Sequence, residues 1–180
     1  MKTRKPKNLS TKPFGLAQEP RSRSPKTNAL RLLDQHQIPY RTVPYEYSAE
    51  NLDVAKIAAD NGLELPQVFK TLVCTGDKTG PLVAIIAGDQ QLNLKALAKA
   101  SGNKKTALIP TKSLLATTGY QRGGCSPIGL RKVLPIYLDQ SALSFSEILL
   151  NAGQRGLLFA ADPHFLAETF HFQIASIGQF

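Results

Sequence analysis

Apolar positions recur along this chain with two periods, and the switches between them lay out the elements. Thr27 fits an N-cap for a helix that carries Leu30, Leu33 and Ile38 at roughly helical spacing. Tyr40 to Tyr47 alternates and predicts a strand with Tyr45 and Tyr47 on one face. Leu52 to Asn61 predicts a helix stopped by Gly62. Val68 to Thr75 and Leu82 to Ala87 read as two apolar strands around the turn Gly76-Asp77-Lys78-Thr79-Gly80, a hairpin signal. Asn93 caps a helix over Leu94 to Ser101 that Gly102 closes, followed by a short strand, Lys104 to Ile109, and a short helix, Thr111 to Ala116. Val133 to Leu138 and Ser146 to Leu150 predict strands. Gly153 to Gly156 turns into another, Leu157 to Ala161. Asp162 caps a last helix through Phe170, and Phe172 to Ile177 closes the chain as a strand. Hairpins dominate this order, so it predicts an α+β domain: a mostly antiparallel or mixed sheet with helices packed outside.

Composition narrows the class. A chain of 180 residues, 42% apolar and 19% charged, suits one compact domain with a full core. No apolar run approaches 18 residues and the start lacks a secretory apolar stretch, so neither a membrane span nor export is expected. Two cysteines without CxxC spacing, Cys74 and Cys125, suggest free thiols in a reducing, cytoplasmic setting.

The net charge of +9 matters less than where it lies. Residues 1–26 hold eight Lys/Arg against Glu19 alone, show no apolar period, and read as a disordered basic tail ahead of a single domain over 27–180. Such a tail suits RNA contact or targeting. The remainder is nearly neutral, with 14 basic and 12 acidic side chains. Yet between Gln90 and Leu138 there are eight cations (Lys95, Lys99, Lys104, Lys105, Lys112, Arg122, Arg131 and Lys132) and no acid. Such a stretch suits a polyphosphate partner if the fold gathers it onto one face.

Within that stretch, Arg122-Gly123-Gly124-Cys125-Ser126-Pro127-Ile128-Gly129 cannot be a packed helix or an ordinary strand. A glycine loop with exposed N–H groups and nearby cations is suited to an oxyanion, an ester carbonyl or a phosphate. Lys70 shares a strand face with Val68, Leu72 and Cys74, so it is either a partly buried ammonium or a strand-end lysine that snorkels. In a cleft it would bind a phosphate or polarise an ester carbonyl. Tyr120 directly precedes the loop and, like Tyr45 and Tyr47, can stack on a base or serve as an amphipathic core residue. His36, His164 and His171 show no ligand spacing, so no metal and no cofactor is expected. Cys125 has no neighbouring histidine and reads as a small filler; Asp139 and Asp162 read as strand-end and helix-cap residues.

Three segments together resemble the YbaK/EbsC family, in particular its bacterial Cys-tRNA(Pro) deacylase branch: Pro66 to Leu72, Gln91 to Lys105, and Thr118 to Gly129. The resemblance runs from about Thr27 to Ile177 and leaves out the tail. It implies the fold of the editing domain found in some prolyl-tRNA synthetases, a mixed, barrel-like sheet surrounded by helices. It further implies trans-editing of misacylated tRNA(Pro), with prolyl-tRNA synthetase as a partner. By it, Lys70 and Tyr45 are the catalytic positions, and Gly123, Gly124, Ser126 and Pro127 hold the substrate; Tyr120, placed directly before the loop, is a further substrate-binding candidate. For a cysteinyl ester it implies that the substrate's own sulfur attacks its carbonyl, so the protein orients and stabilises charge. Two positions depart from the pattern. Leu158 stands where related deacylases can carry an acid, and Cys125 where an aliphatic residue is expected. A deacylase for another misacylated tRNA such as Ala-tRNA(Pro), and a non-catalytic module that binds tRNA or synthetase, are the other readings; a small-molecule hydrolase fits the cation distribution less well.

Overall fold

The computed structural model describes residues 25–180, so all but the last two residues of the tail expected over 1–26 lie outside the described residues. Lys26, at its end, is held to the domain: its ammonium donates to Asp34 (2.5 Å) and to the Tyr40 hydroxyl (3.4 Å).

Element order is α1 (Asn28–Gln35), β1 (Arg41–Pro44), α2 (Val54–Asp60), β2 (Phe69–Gly76), β3 (Gly80–Ala87), β4 (Gln91–Leu92), α3 (Leu94–Ser101), β5 (Thr106–Leu108) and α4 (Leu114–Thr118). It continues through β6 (Ile136–Asp139), β7 (Ile148–Gln154), β8 (Leu157–Ala161), α5 (Pro163–Phe170), β9 (Gln173–Ala175) and β10 (Gly178–Gln179). The predicted caps form: the side chains of Thr27, Asn93 and Asp162 accept main-chain N–H bonds at the starts of α1, α3 and α5, filling donors a helix leaves open. Asp53, expected inside a helix from Leu52, instead caps α2 in the same way.

The central sheet has the order β5-β2-β3-β6-β9. β2 and β3 form the predicted hairpin in unbroken register, from Phe69 opposite Ala87 to Gly76 opposite Gly80. β6 and β9 add parallel neighbours. β3 is buried on both faces, which is why Leu82 to Ala87 is an uninterrupted apolar run. Val83, Ile85 and Ala87 enter the main core with Phe69, Leu138, Leu150 and Phe159, beneath α1 and α5. Leu82, Ala84 and Ile86 enter a smaller one with Cys74, Tyr137, Ile177 and Leu97 of α3.

A second sheet, β1-β8-β7, is antiparallel and meets the first through a bridge between Val68 and Leu149. The sheets curl around the main core without closing, so the expected barrel is an open one. β5 pairs only with Cys74, Thr75 and Gly76, which leaves the first half of the β2 edge uncovered.

Four expected strands change length. The strand expected over Tyr40 to Tyr47 stops at Pro44, which cannot donate to a ladder, and Tyr45 and Tyr47 follow in a non-strand segment held by the Tyr45 N–H on the Gly156 carbonyl (2.9 Å). Val133 is fully exposed, and β6 starts only at Ile136, after Pro135. β7 runs on to Gln154 through an irregularity at Asn151. The final strand shortens to Gln173–Ala175 because the N–H groups of Ile177 and Gly178 turn to the buried Asp139 carboxylate (2.8 and 2.7 Å), and a further short strand, β10, pairs with β4 beyond it.

Candidate active site

The uncovered edge of β2 opens onto a cavity of about 400 Å³, within the range of small-ligand sites. Its walls come from β2, α2 and the segment before it, the residues after β5, the glycine loop, and Asn151 and Leu158 of the second sheet.

The ladder phase determines what β2 offers. The Gly88 N–H donates to the Val68 carbonyl (2.7 Å), and the Ile109 N–H donates to the Val73 carbonyl (3.1 Å). Main-chain groups of Val68, Lys70 and Leu72 therefore face β3, while those of Phe69, Thr71 and Val73 turn outward. Between the Val68 bridge and β5, no strand among the described residues stands opposite Thr71. The Thr71 hydroxyl is likewise buried without a hydrogen-bond partner among the described residues. An orphan donor set on a cavity wall is an unmet demand for a polar ligand or water.

Lys70 is half-buried, opposite Ile86 in the hairpin, and lines the same cavity. Burial pushes its ammonium below the ordinary lysine value, against the pull of the Asp53 and Asp89 carboxylates. Tyr45 lines the cavity as well and is 9% exposed. Burial raises its phenol above the usual value, although the Gly156 main chain and Asn151 oppose the shift.

Asn151, which sequence reasoning missed, ties the site together. Its Nδ2 donates to the Gly123 carbonyl (2.9 Å) and approaches the Tyr45 Oη (3.4 Å), while its Oδ1 accepts from the N–H groups of Gly153 (2.7 Å) and Gln154 (3.1 Å). The Tyr45 hydroxyl also donates to the Gly123 carbonyl (3.4 Å). A polar residue directly after an apolar run and two positions before a glycine was the available signal.

The glycine loop is built differently from a simple cradle of N–H donors. Gly123 sits at φ +81°, and a Cβ there would come within 2.8 Å of Leu52 Cδ1, so this turn requires glycine. The Gly124 N–H is used internally on the Gln121 carbonyl (3.0 Å), and the Ile128 N–H on Ser126 Oγ (3.2 Å). Ser126 and Pro127 are buried beneath the loop and line neither this cavity nor the one beside it. Tyr120 is buried as well, donates to the Ile128 carbonyl (2.6 Å), and has its phenol pushed up to about 12 by burial. Gly123, Arg122 and Cys125 line the first cavity, whereas Gly124 and Tyr120 line the second. Burial pushes the Cys125 thiol up to about 11, with the Thr118 side chain opposing. A thiol held protonated at neutral pH is a poor nucleophile. Leu158 packs with Tyr45, Val68, Leu149 and Ala160, so this wall of the cavity is apolar.

The cations of the acid-free stretch are exposed but do not all reach the cavity. Arg122 lines it; Arg131, followed by Lys132, sits beside Gly119 at the base of the loop, its N–H on the Thr118 carbonyl (3.0 Å). Lys95 and Lys99 lie on α3 and Lys104 and Lys105 on the loop into β5, whose Leu108 lines the cavity. Tertiary structure also inserts an acid. The Asp77 carboxylate accepts from the N–H groups of Lys104 (2.8 Å) and Lys105 (3.0 Å), and the Lys105 bond leads in holding its pKa below the usual range. Among the described residues no helix is long and apolar enough to cross a membrane.

An open-edged α+β sheet thus brings a lysine, a tyrosine and a pinned glycine loop to one small cavity. The chain belongs to the aminoacyl-tRNA editing domain family, whose model matches residues 49–168. It is 47% identical to EbsC of Enterococcus faecalis, a candidate Cys-tRNA(Pro)/Cys-tRNA(Cys) deacylase, over 84% of this chain and 93% of that protein. It is 30% identical to the multifunctional Ser/Thr-tRNA deacylase ProXp-y of Escherichia coli, over 69% of this chain and 75% of that protein. A solved candidate trans-editing enzyme for prolyl-tRNA synthetase superposes with a TM-score of 0.72 at 25% identity, over 87% of this chain and all of that one.

Proposed function

We infer that this protein is a trans-acting aminoacyl-tRNA deacylase that clears cysteine from tRNA(Pro). The observation that carries the reading is the convergence of Lys70, the unpaired Thr71 edge and the Asn151-anchored Gly123 on one cavity, with no nucleophile and base paired there among the described residues. A cysteinyl ester needs no protein nucleophile. Its thiol, giving up its proton, attacks the ester carbonyl carbon; the new C–S bond closes a four-membered thiolactone as the C–O bond to the tRNA breaks. The 3′ oxygen leaves with a proton, and water later opens the thiolactone to free cysteine. Lys70 and the outward N–H of Thr71 stabilise the developing oxyanion, while Tyr45 and Gly123 hold the ester against that edge.

Two lines of support stand beside the geometry. Cys125, the one thiol on the cavity wall, is held protonated, which suits a route in which the substrate supplies the sulfur. Exposed cations on α3, the loop into β5 and the glycine loop suit an acceptor stem running past the cavity, and the likeness to a trans-editing fold suits delivery of the tRNA by prolyl-tRNA synthetase in the cytoplasm. The kinship with ProXp-y keeps other small amino acids in view, since cysteine and serine differ only in the attacking atom.

Purified protein incubated with Cys-, Ser- and Ala-tRNA(Pro) tests the reading. Cysteinyl ester is expected to disappear fastest, and Lys70→Ala to slow it at least about a hundredfold, the scale of losing one charge-stabilising group. No turnover of Cys-tRNA(Pro), or an undiminished rate in Lys70→Ala, overturns it. Equal rates on Cys- and Ala-tRNA(Pro) overturn the substrate-thiol route.

A further inference from the structure

Beside the ester cavity lies a second one, of about 430 Å³, whose walls are mainly main chain and polar side chains. Three segments supply both cavities, residue by residue. Tyr45 faces the first and Tyr47 the second; Arg122, Gly123 and Cys125 line the first and Gln121 and Gly124 the second; Asn151 lines the first and Gln154 and Arg155 the second. The glycine loop is thus a thin wall between two adjoining sites. That wall is held by the Arg155 Nε, which donates to the Arg122 carbonyl (2.8 Å), and by close main-chain packing. A Cβ at Gly124 would fall 3.1 Å from the Arg155 nitrogen and 3.2 Å from Gln154.

The groups that line the second cavity form a recognisable set. Tyr47 is 46% exposed, an uncommon setting for a large aromatic, and its ring is braced edge-on by Tyr45 at 6.1 Å between centroids. Anchoring Arg155 through its Nε leaves its terminal nitrogens for an anion, and no carboxylate among the described residues pairs with it. Gln121 and Gln154 are exposed amides that can both donate and accept. A ring to stack on, a cation for a phosphate and amides for a base edge are what a single-stranded nucleotide requires.

We propose that this second cavity is a nucleotide subsite for the residue immediately 5′ of the terminal adenosine of the tRNA, stacked on Tyr47 with its phosphate at Arg155. The proposal rests on the deacylase reading, because it is that reading which puts the aminoacylated terminal adenosine in the first cavity. It follows from strand continuity: a chain whose end enters the ester cavity must leave over the Gly123–Gly124 wall or away from it, and the wall leads directly to a polar site of nucleotide size.

The test compares cysteinyl esters of adenosine alone and of the trinucleotide CCA on the wild type, Tyr47→Ala and Tyr47→Phe. Tyr47→Ala is expected to raise KM about tenfold for the trinucleotide, the scale of one lost base stack, and to leave the adenosine ester unchanged. Tyr47→Phe keeps the ring and is expected to match the wild type on both. An equal loss on both esters, or no loss on the trinucleotide, overturns the proposal. Binding of uncharged cytidylyl-adenosine against adenosine, by calorimetry, needs no turnover. A preference for the dinucleotide that Tyr47→Ala abolishes supports the subsite even where no ester is hydrolysed; no preference overturns it.

Discussion

Replacing Asn151 tests whether the loop is held in place by side-chain hydrogen bonds or merely lies where the backbone leaves it. Asn151→Ala removes three well-formed bonds, to the Gly123 carbonyl (2.9 Å) and from the N–H groups of Gly153 (2.7 Å) and Gln154 (3.1 Å). At about 1 kcal/mol net for each, less some recovery by water at this half-buried site, the loss is about 2 kcal/mol. For a domain of this size that lowers Tm by about 4–8 °C. Activity should fall further than stability. Gly123 would keep only the long Tyr45 contact (3.4 Å), and misplacing a substrate-positioning group by about 1 Å costs about a hundredfold in rate. Asn151→Asp separates the two effects. Its carboxylate still accepts from Gly153 and Gln154, so the Tm should recover most of the way, but it repels the Gly123 carbonyl, so the rate should stay low. Calorimetry and single-turnover deacylation of Cys-tRNA(Pro) read the two quantities. Wild-type turnover in Asn151→Asp, or in Asn151→Ala with unchanged Tm, would refute the reasoning.

Two other residues give sharp outcomes. Asp139 is 3% exposed; burial alone would raise its pKa, but bonds from the Ser141 hydroxyl and the N–H groups of Gly178, Ile177 and Ser141 more than offset this and hold it below the usual carboxylate value. A depressed folded-state pKa stabilises above the unfolded value near 4, and the contribution is lost as pH falls through the folded one. Urea denaturation from pH 7 down to pH 2 should therefore show an acid limb that Asp139→Asn flattens. Asp139→Ala should cost about 2–4 kcal/mol at pH 7, because it strands buried N–H groups; an unchanged limb in Asp139→Asn counts against the assignment. Cys125, with its thiol near 11, should react with iodoacetamide at pH 7 roughly a hundredfold more slowly than an unperturbed thiol, as followed by mass spectrometry. Alkylation at the rate of a free cysteine would mean that the thiol is not shielded.

The elements that were legible are those whose signals are local. The β2–β3 hairpin follows from two apolar runs around Gly76 to Gly80, and three side-chain caps from Thr27, Asn93 and Asp162 standing directly before helical patterns. Two missed boundaries had a local cause, since Pro44 ends β1 and Pro135 delays β6; the one at the chain's end had a tertiary cause. Asp139 draws off the N–H groups that would have continued β9, and β10 instead finds β4, a strand too short to show any period. In the site, Lys70 was visible because a charge within an apolar strand breaks the alternation. Asn151 was not singled out, since one amide near a turn resembles any other until its partners, far off in the chain, are known.

By itself, then, the sequence determined the α+β class, the hairpin that carries Lys70, and a glycine loop too constrained to be anything but a loop, because each depends on residues close together in the chain. Only the tertiary structure decided that the sheets stay open where β5 ends, that this opening is the cavity, and that the glycine loop divides two cavities and uses several of its own N–H groups internally. Those outcomes turn on which groups from distant segments find partners and which, like Thr71, are left without one among the described residues. Local sequence carries no record of that pairing.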